Sequence, residues 1–131
     1  MTYVSDTHCL LWWMTGTRAL GKNAARVFAR AERGLDEIHL PTVVLFELAL
    51  LVERGRFLPA LGWNRWVESL EAKAGLRVDP LTVQDVGEAR HLAALVDPFD
   101  RMIAATALRL DCPLLTSDQR ITDSGLVRTV W

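Results

Sequence analysis

The sequence predicts an α/β fold: a single-domain three-layer α/β/α sandwich on a mainly parallel sheet of four or five strands. Three observations point there. Short strand-like segments recur at 2–5, 38–40, 76–78 and 113–116, with a weaker one at 127–130. Between them lie helical segments of ten or more residues, long enough for the crossover connections that parallel strands require. The 131 residues hold no internal repeat, low-complexity tract or linker, so one domain over 1–131 is expected, with a radius of gyration of roughly 14 Å.

Thr2 to Ser5 reads as a strand stopping at Asp6, and an apolar helix continues to Met14 before Thr15-Gly16-Thr17 breaks it. Gly21 to Gly34 is amphipathic: Leu20, Ala24, Val27, Phe28, Ala31 and Leu35 share one side, while Lys22, Arg26, Arg30 and Arg33 share another. Ile38 to Leu40 make the second strand. Pro41-Thr42 open a helix around Glu47, and Gly55 lies just beyond its end. Trp63 to Ala74 form a further helix, Leu76 to Val78 a third strand and Thr82 to Val96 a long helix. Asp97-Pro98 starts the next helix, which runs to about Leu110, because proline suits a first helical turn. Pro113 to Thr116 supply the fourth strand and Val127 to Val130 a weak fifth, with helices covering both faces of the sheet.

Composition narrows the function. With 50% hydrophobic and 24% charged residues the chain is a folded globular protein, not a disordered one. Glu47 and Glu53 interrupt the longest apolar run, so no stretch reaches the ~18 to 20 residues that span a bilayer. Asp6 and His8 precede the short apolar run Cys9 to Met14 with no basic region before it, unlike a signal peptide, and a cytoplasmic protein is expected. Cys9 and Cys112 lie in apolar contexts without Cys/His ligand spacing, so reduced thiols are expected rather than a zinc site. A net charge of -1 excludes a general polycation, so any polyanion must be gripped locally. Thirteen arginines against two lysines suit forked contacts to phosphate or carboxylate.

Glu47 is the one charged residue between Val43 and Val52, and a run so apolar is expected to be buried almost all round. An ionised carboxylate in such surroundings must lose its charge, find a cation or coordinate a metal. Asp6, Asp100 and Asp118 are its candidate company. In a parallel sheet, residues just past the carboxyl ends of different strands gather along one edge, which places Asp6 and Asp118 there. Asp100 falls in the first turn of a helix starting near that edge, and Glu47 about two turns into another. Four converging carboxylates repel one another, and Mg²⁺ or Mn²⁺, which prefers carboxylate and water oxygens, resolves this. Such an ion can also contact phosphate oxygen and acidify a water, so phosphodiester hydrolysis is the matching chemistry. Each acid also has a plainer role. Asp100 fits the third position of a capping box headed by Asp97, Asp118 a turn, Asp6 a helix cap and Glu47 a buried pair with an arginine.

Four segments carry a resemblance: Ser5-Asp6-Thr7-His8-Cys9-Leu10-Leu11-Trp12-Trp13, Pro41 to Leu51, Asp97-Pro98-Phe99-Asp100-Arg101-Met102-Ile103-Ala104-Ala105-Thr106-Ala107, and Leu114-Leu115-Thr116-Ser117-Asp118. In this order, over essentially the full length, the chain resembles the PIN-domain ribonucleases, and within them the VapC toxins of type II toxin-antitoxin pairs. The resemblance implies a Mg²⁺-dependent endoribonuclease with Asp6 and Asp100 as main metal ligands. Asp118 would complete the metal site directly or through water, Glu47 would position or deprotonate the attacking water, and Thr116 would orient a carboxylate or water. A serine common near the start of the Glu47 helix stands here as Thr42, which keeps the hydroxyl. The resemblance further implies a homodimer, an RNA substrate and a small antitoxin that inserts a segment near the pocket.

Lys22, Arg26, Arg30 and Arg33 stack along one helical face, with Arg26 and Arg30 the candidate contacts to an RNA backbone or an acidic antitoxin, against the plainer reading of a solvated face. Trp12, Trp13, Trp63, Trp66 and Trp131 could stack on bases, or serve core and subunit contacts, with the Trp63–Trp66 region favoured for docking. An aspartyl phosphatase would place an Asp where His8 stands, a receiver domain would need a late lysine, and no Gly-rich nucleotide loop is present. The remaining rival is a noncatalytic protein- or RNA-binding module of the same fold.

Overall fold

The computed structural model describes residues 1–131. Strands β1 (Thr2–Ser5), β2 (Glu37–Pro41), β3 (Leu76–Asp79), β4 (Leu114–Leu115) and β5 (Thr129–Val130) form one sheet in the order β3-β2-β1-β4-β5, and every neighbouring pair is parallel. Helices α1 (Thr7–Thr15) and α2 (Lys22–Glu32) connect β1 to β2, and α3 (Thr42–Glu53) and α4 (Trp63–Glu71) connect β2 to β3. Helices α5 (Val83–Ala89) and α6 (Pro98–Arg109) lead to β4, and α7 (Gln119–Ser124) leads to β5. The chain steps outward from β1 to β3, then returns to the other side of β1 as β4. The carboxyl ends of β1 and β4 therefore flank the point where strand order reverses, the place where open α/β sheets form a crevice.

Central strands are buried: Val4, Ile38, Leu40, Leu114 and Leu115 have no exposed surface. Helix α6 packs on β1 and brings Ala104, Ala105 and Ala107, small residues that let it lie close, together with Ile103. Helix α2 buries the predicted stripe Ala24, Val27, Phe28 and Ala31, though Leu35 beyond it is exposed.

Two expectations are corrected and one helix is added. The helix expected over Thr82 to Val96 ends at Ala89, where Leu92 N–H bonds Ala89 O and Leu95 N–H bonds Leu92 O. These tight turns still bury Leu92 and Leu95, so the apolar spacing that suggested helix continues without it. Helix α7 was not expected; Asp118 caps it, Ile121 buries, and Gly125 ends it in the left-handed region at φ 65. Helix α3 is not buried all round: Val44 and Leu48 face the core, but Phe46 is 55% exposed, because β2, α1 and α6 pack against only part of its circumference. No helix is long and apolar enough to cross a membrane.

A paired set of charges lies beside β2 and β3. Arg109 Nε donates to Asp85 Oδ1 at 2.6 Å and Nη2 to Asp79 Oδ1 at 3.0 Å. Asp79 Oδ2 meets His39 Nδ1 at 2.8 Å, and His39 Nε2 meets Glu37 Oε1 at 2.9 Å. Asp85, fully buried, also completes a capping box with Thr82.

Candidate active site

The carboxyl edge of the sheet opens into a cleft of about 510 Å³ that includes Asp6, Glu47, Asp97, Asp100 and Asp118 among its walls. Asp6 follows β1 and caps α1, its Oδ1 accepting from Cys9 N–H at 2.8 Å. Asp118 follows β4 and caps α7, accepting from Arg120 N–H at 2.9 Å. Asp100 sits in the first turn of α6, and Glu47 in the second turn of α3. The four predicted acids thus meet in one cavity. Thr116 lies beneath them, buried, its Oγ1 accepting from Asp118 N–H at 3.1 Å and its side chain hydrogen-bonded to Asp6.

Sequence reasoning missed several neighbours. Glu47 finds neither an arginine nor another acid as its bonded partner: the Thr7 hydroxyl donates to Oε1 at 2.6 Å, bridging α1 and α3 across forty residues of chain. Thr7 stands next to Asp6 in sequence, a position from which a hydroxyl could have been weighed. Asp97 is a fifth acid. It performs the cap for which Asp100 was a candidate partner, accepting from Phe99 N–H at 2.8 Å and Asp100 N–H at 3.0 Å, and the Asp100 side chain faces the cleft. Arg120 is the one arginine or lysine in the lining and forks onto Asp118, Nη2 to Oδ2 at 3.0 Å and Nε to Oδ1 at 3.3 Å.

Charge accumulates in the cleft without balance. Burial, then Asp97, Asp118, Glu47 and Asp6, push the Asp100 carboxyl up to about 7. Burial also raises Asp6 and Glu47, opposed by hydrogen bonds from Thr116 and Cys9 in the first case and from Thr7 in the second. Asp118 alone is lowered, by the Arg120 guanidinium. No three carboxylate, imidazole or thiol groups close into a ligand cage. Asp6, Glu47 and Asp118 each turn an oxygen toward a protein donor. The donor set still fits a hard divalent cation. It is all oxygen, strongly anionic and partly solvated, as suits an ion that takes one or two carboxylates and keeps several waters.

Arg26 and Arg30 lie elsewhere. Both line a separate cavity with Met1, Tyr3 and Asn23, and Arg30 is forked onto Asp36, Nε to Oδ2 at 2.7 Å. Trp13 stacks on Phe28 and Trp66 is buried, whereas Trp12 is half-buried in the cleft wall.

An all-parallel sheet with acids gathered at its strand-order reversal defines a class of α/β proteins built around an anionic pocket. A model of the PIN domain matches residues 3–125, and the chain belongs to that family. It is 30% identical over 134 residues to Ribonuclease VapC22 of Mycobacterium tuberculosis (strain ATCC 25618 / H37Rv), covering 99% of this chain and 98% of that protein. The fold is similar to VapBC2 from Rickettsia felis bound to a DNA fragment from their promoter, with a TM-score of 0.72 at 13% identity over 99% of this chain and 98% of that one. It is also similar to VapBC-1 from nontypeable Haemophilus influenzae, with a TM-score of 0.63 at 21% identity over 99% and 97%.

Proposed function

We propose that this protein is a Mg²⁺-dependent endoribonuclease and the toxin of a VapBC-type pair. The observation that carries the reading is the convergence of Asp6, Glu47, Asp100 and Asp118 in one cleft that holds a single guanidinium. Kinship with a protein named a ribonuclease supports the activity, and likeness to VapBC structures supports an antitoxin partner.

Asp6 and Asp100 would hold the cation, with Asp118 contributing directly or through water; Mn²⁺ has the same preference for oxygen. When bound, the cation supplies charge neutralisation at phosphate and a more acidic water. Glu47, held by Thr7, would accept a proton from an attacking water. Its raised pKa brings it closer to the working pH, where a general base is most effective. Thr116 holds Asp6 and the start of the Asp118 loop in register.

The exposed Phe46 and half-buried neighbours of α3 support a subunit or antitoxin contact on that helix, and we assign the homodimer and the antitoxin to it. Arg26 can reach an acidic partner or an RNA backbone from the face of α2, whereas Arg30 must first leave Asp36. The buried free thiols of Cys9 and Cys112 suit a reducing cytoplasm.

Single-stranded RNA incubated with the chain and Mg²⁺ should be cleaved internally. EDTA and Asp6→Asn should each abolish cleavage, with circular dichroism unchanged. Equal cleavage in EDTA would refute the cation. RNA or protein binding without any cleavage would instead establish the noncatalytic module.

A further inference from the structure

We propose that Trp12 and Trp131 form a stacking subsite for an unpaired RNA base flanking the phosphate held at the acidic cleft; the inference rests on the ribonuclease reading above.

Trp12 is the one hydrophobic residue among the cleft-lining side chains, so an aromatic face adjoins five carboxylates. Its ring lies between His8, at 5.5 Å and tilted, and Trp131, at 5.7 Å and edge-on with an interplanar angle of 63°. In an edge-to-face pair the edge of one ring rests on the face of the other, so the two indoles form a corner and do not stack flat over one another. Trp131 is 38% exposed, and Trp12 is half-buried. The remaining tryptophans are occupied otherwise: Trp13 stacks on Phe28, and Trp63, Trp66 and Phe57 pack together.

The corner is held from a distance. Asn23 Nδ2 donates to Trp131 O at 2.8 Å, 108 residues away in sequence. Gly21 lies flat against the indole, where a Cβ would stand 2.5 Å from Trp131 Cδ2, so only glycine leaves room for the ring. An aromatic pair fixed in this way, with Trp12 in the wall of an anionic cleft and Trp131 against it outside the lining, suits a substrate that is a polyanion with planar, unpaired bases. The cation and phosphate supply attraction at the acids, and the rings take the adjoining base without regard to its identity.

The test compares octamer oligoadenylate with an abasic ribose-phosphate octamer of the same charge, in Mg²⁺ and in the Asp100→Asn background to suppress cleavage, by anisotropy and tryptophan quenching. Oligoadenylate should bind roughly five- to one-hundred-fold tighter than the abasic chain, the range expected for stacking of one base on an aromatic side chain. Trp12→Leu and Trp131→Leu should each reduce that ratio toward one without changing abasic affinity. Gly21→Ala, which displaces the indole but removes no aromatic, should do likewise, and Trp131→Phe should retain most of the ratio. Equal binding of the two octamers overturns the subsite, as does a ratio indifferent to both leucine variants. If a variant fails to fold, the base-to-abasic ratio of the chain with both rings intact still decides. Loss of the subsite while cleavage still depends on Asp6 leaves the ribonuclease standing. Absence of cleavage with the ratio intact fails only the ribonuclease.

Discussion

Two groups of carboxylates lie at opposite extremes of compensation. Beside β2 and β3, the fully buried Asp85 and nearly buried Asp79 share Arg109, and Asp79 also meets His39. At the carboxyl edge, five acids share one guanidinium, that of Arg120, which is exposed and serves Asp118, with the His8 imidazole beside them. In the first group the positive partner is itself part of the chain: the guanidinium is held above its ordinary pKa by its hydrogen bond to Asp85. In the second, Asp100 is pushed up to about 7 by burial and by its neighbours. Paired acids buttress the fold. Unpaired acids are a standing demand for a cation from outside.

The largest expected effect lies in the paired group. Arg109→Met removes the only guanidinium from the fully buried Asp85 and leaves Asp79 with His39 alone, and should cost about 3–5 kcal/mol of unfolding free energy in urea titrations. A cost below about 1 kcal/mol would erase the contrast, since partner removal at the buried pair should hurt far more than that. Adding Asp85→Asn should recover part of it.

The unpaired group should answer with opposite sign. Asp100→Asn should lower cleavage by about a hundredfold or more, an effect comparable to removing a transition-state contact. In the cation-free protein the same change should raise unfolding free energy, because it relieves repulsion. A stability loss in EDTA would mean that Asp100 is structurally paired after all.

The pH dependence follows from that shift. The folded state holds the Asp100 proton up to about 7 whereas the group ordinarily releases it near 3.8, so between these values the folded state binds more protons than the unfolded. Stability of the cation-free protein should therefore fall as pH rises from about 4 to 7. The slope sums to about 1–2 kcal/mol once solvent screening of a half-exposed group is allowed for. Urea midpoints measured in EDTA at pH 5 and 7.5 give the size, and Mg²⁺ should flatten it. A smaller change is expected at Thr7→Val, which removes the donor to Glu47: cleavage should drop about fivefold, the equivalent of one ordinary hydrogen bond near 1 kcal/mol, with little change in the urea midpoint. Unaltered kcat would show that Glu47 needs no anchor.

The unpaired group was largely legible in the sequence and the paired one was not, for a physical reason. Asp6, Asp100 and Asp118 sit immediately after strands or in a first helical turn, positions that local pattern and parallel topology fix together. Arg109 meets Asp85 and Asp79 through the angle at which α6 crosses toward β3, which no spacing encodes. The same limit explains Thr7. Its partner lies forty positions on, so only the α1–α3 packing shows that Glu47 is satisfied by a hydroxyl rather than an arginine. Periodicity also overextended α5, because Leu92 and Leu95 keep apolar spacing inside turns. It overstated the burial of α3, because apolar character alone does not separate a core face from an exposed one.

The pocket draws on positions 6, 47, 97, 100 and 118 of a chain whose fourth strand ends at Leu115. A chain that stopped short of Asp118 would lack one wall of the pocket, so the five acids cannot meet before β4 has been made. The last wall is set when β4 pairs with β1, which carries Asp118 to the mouth of the cleft.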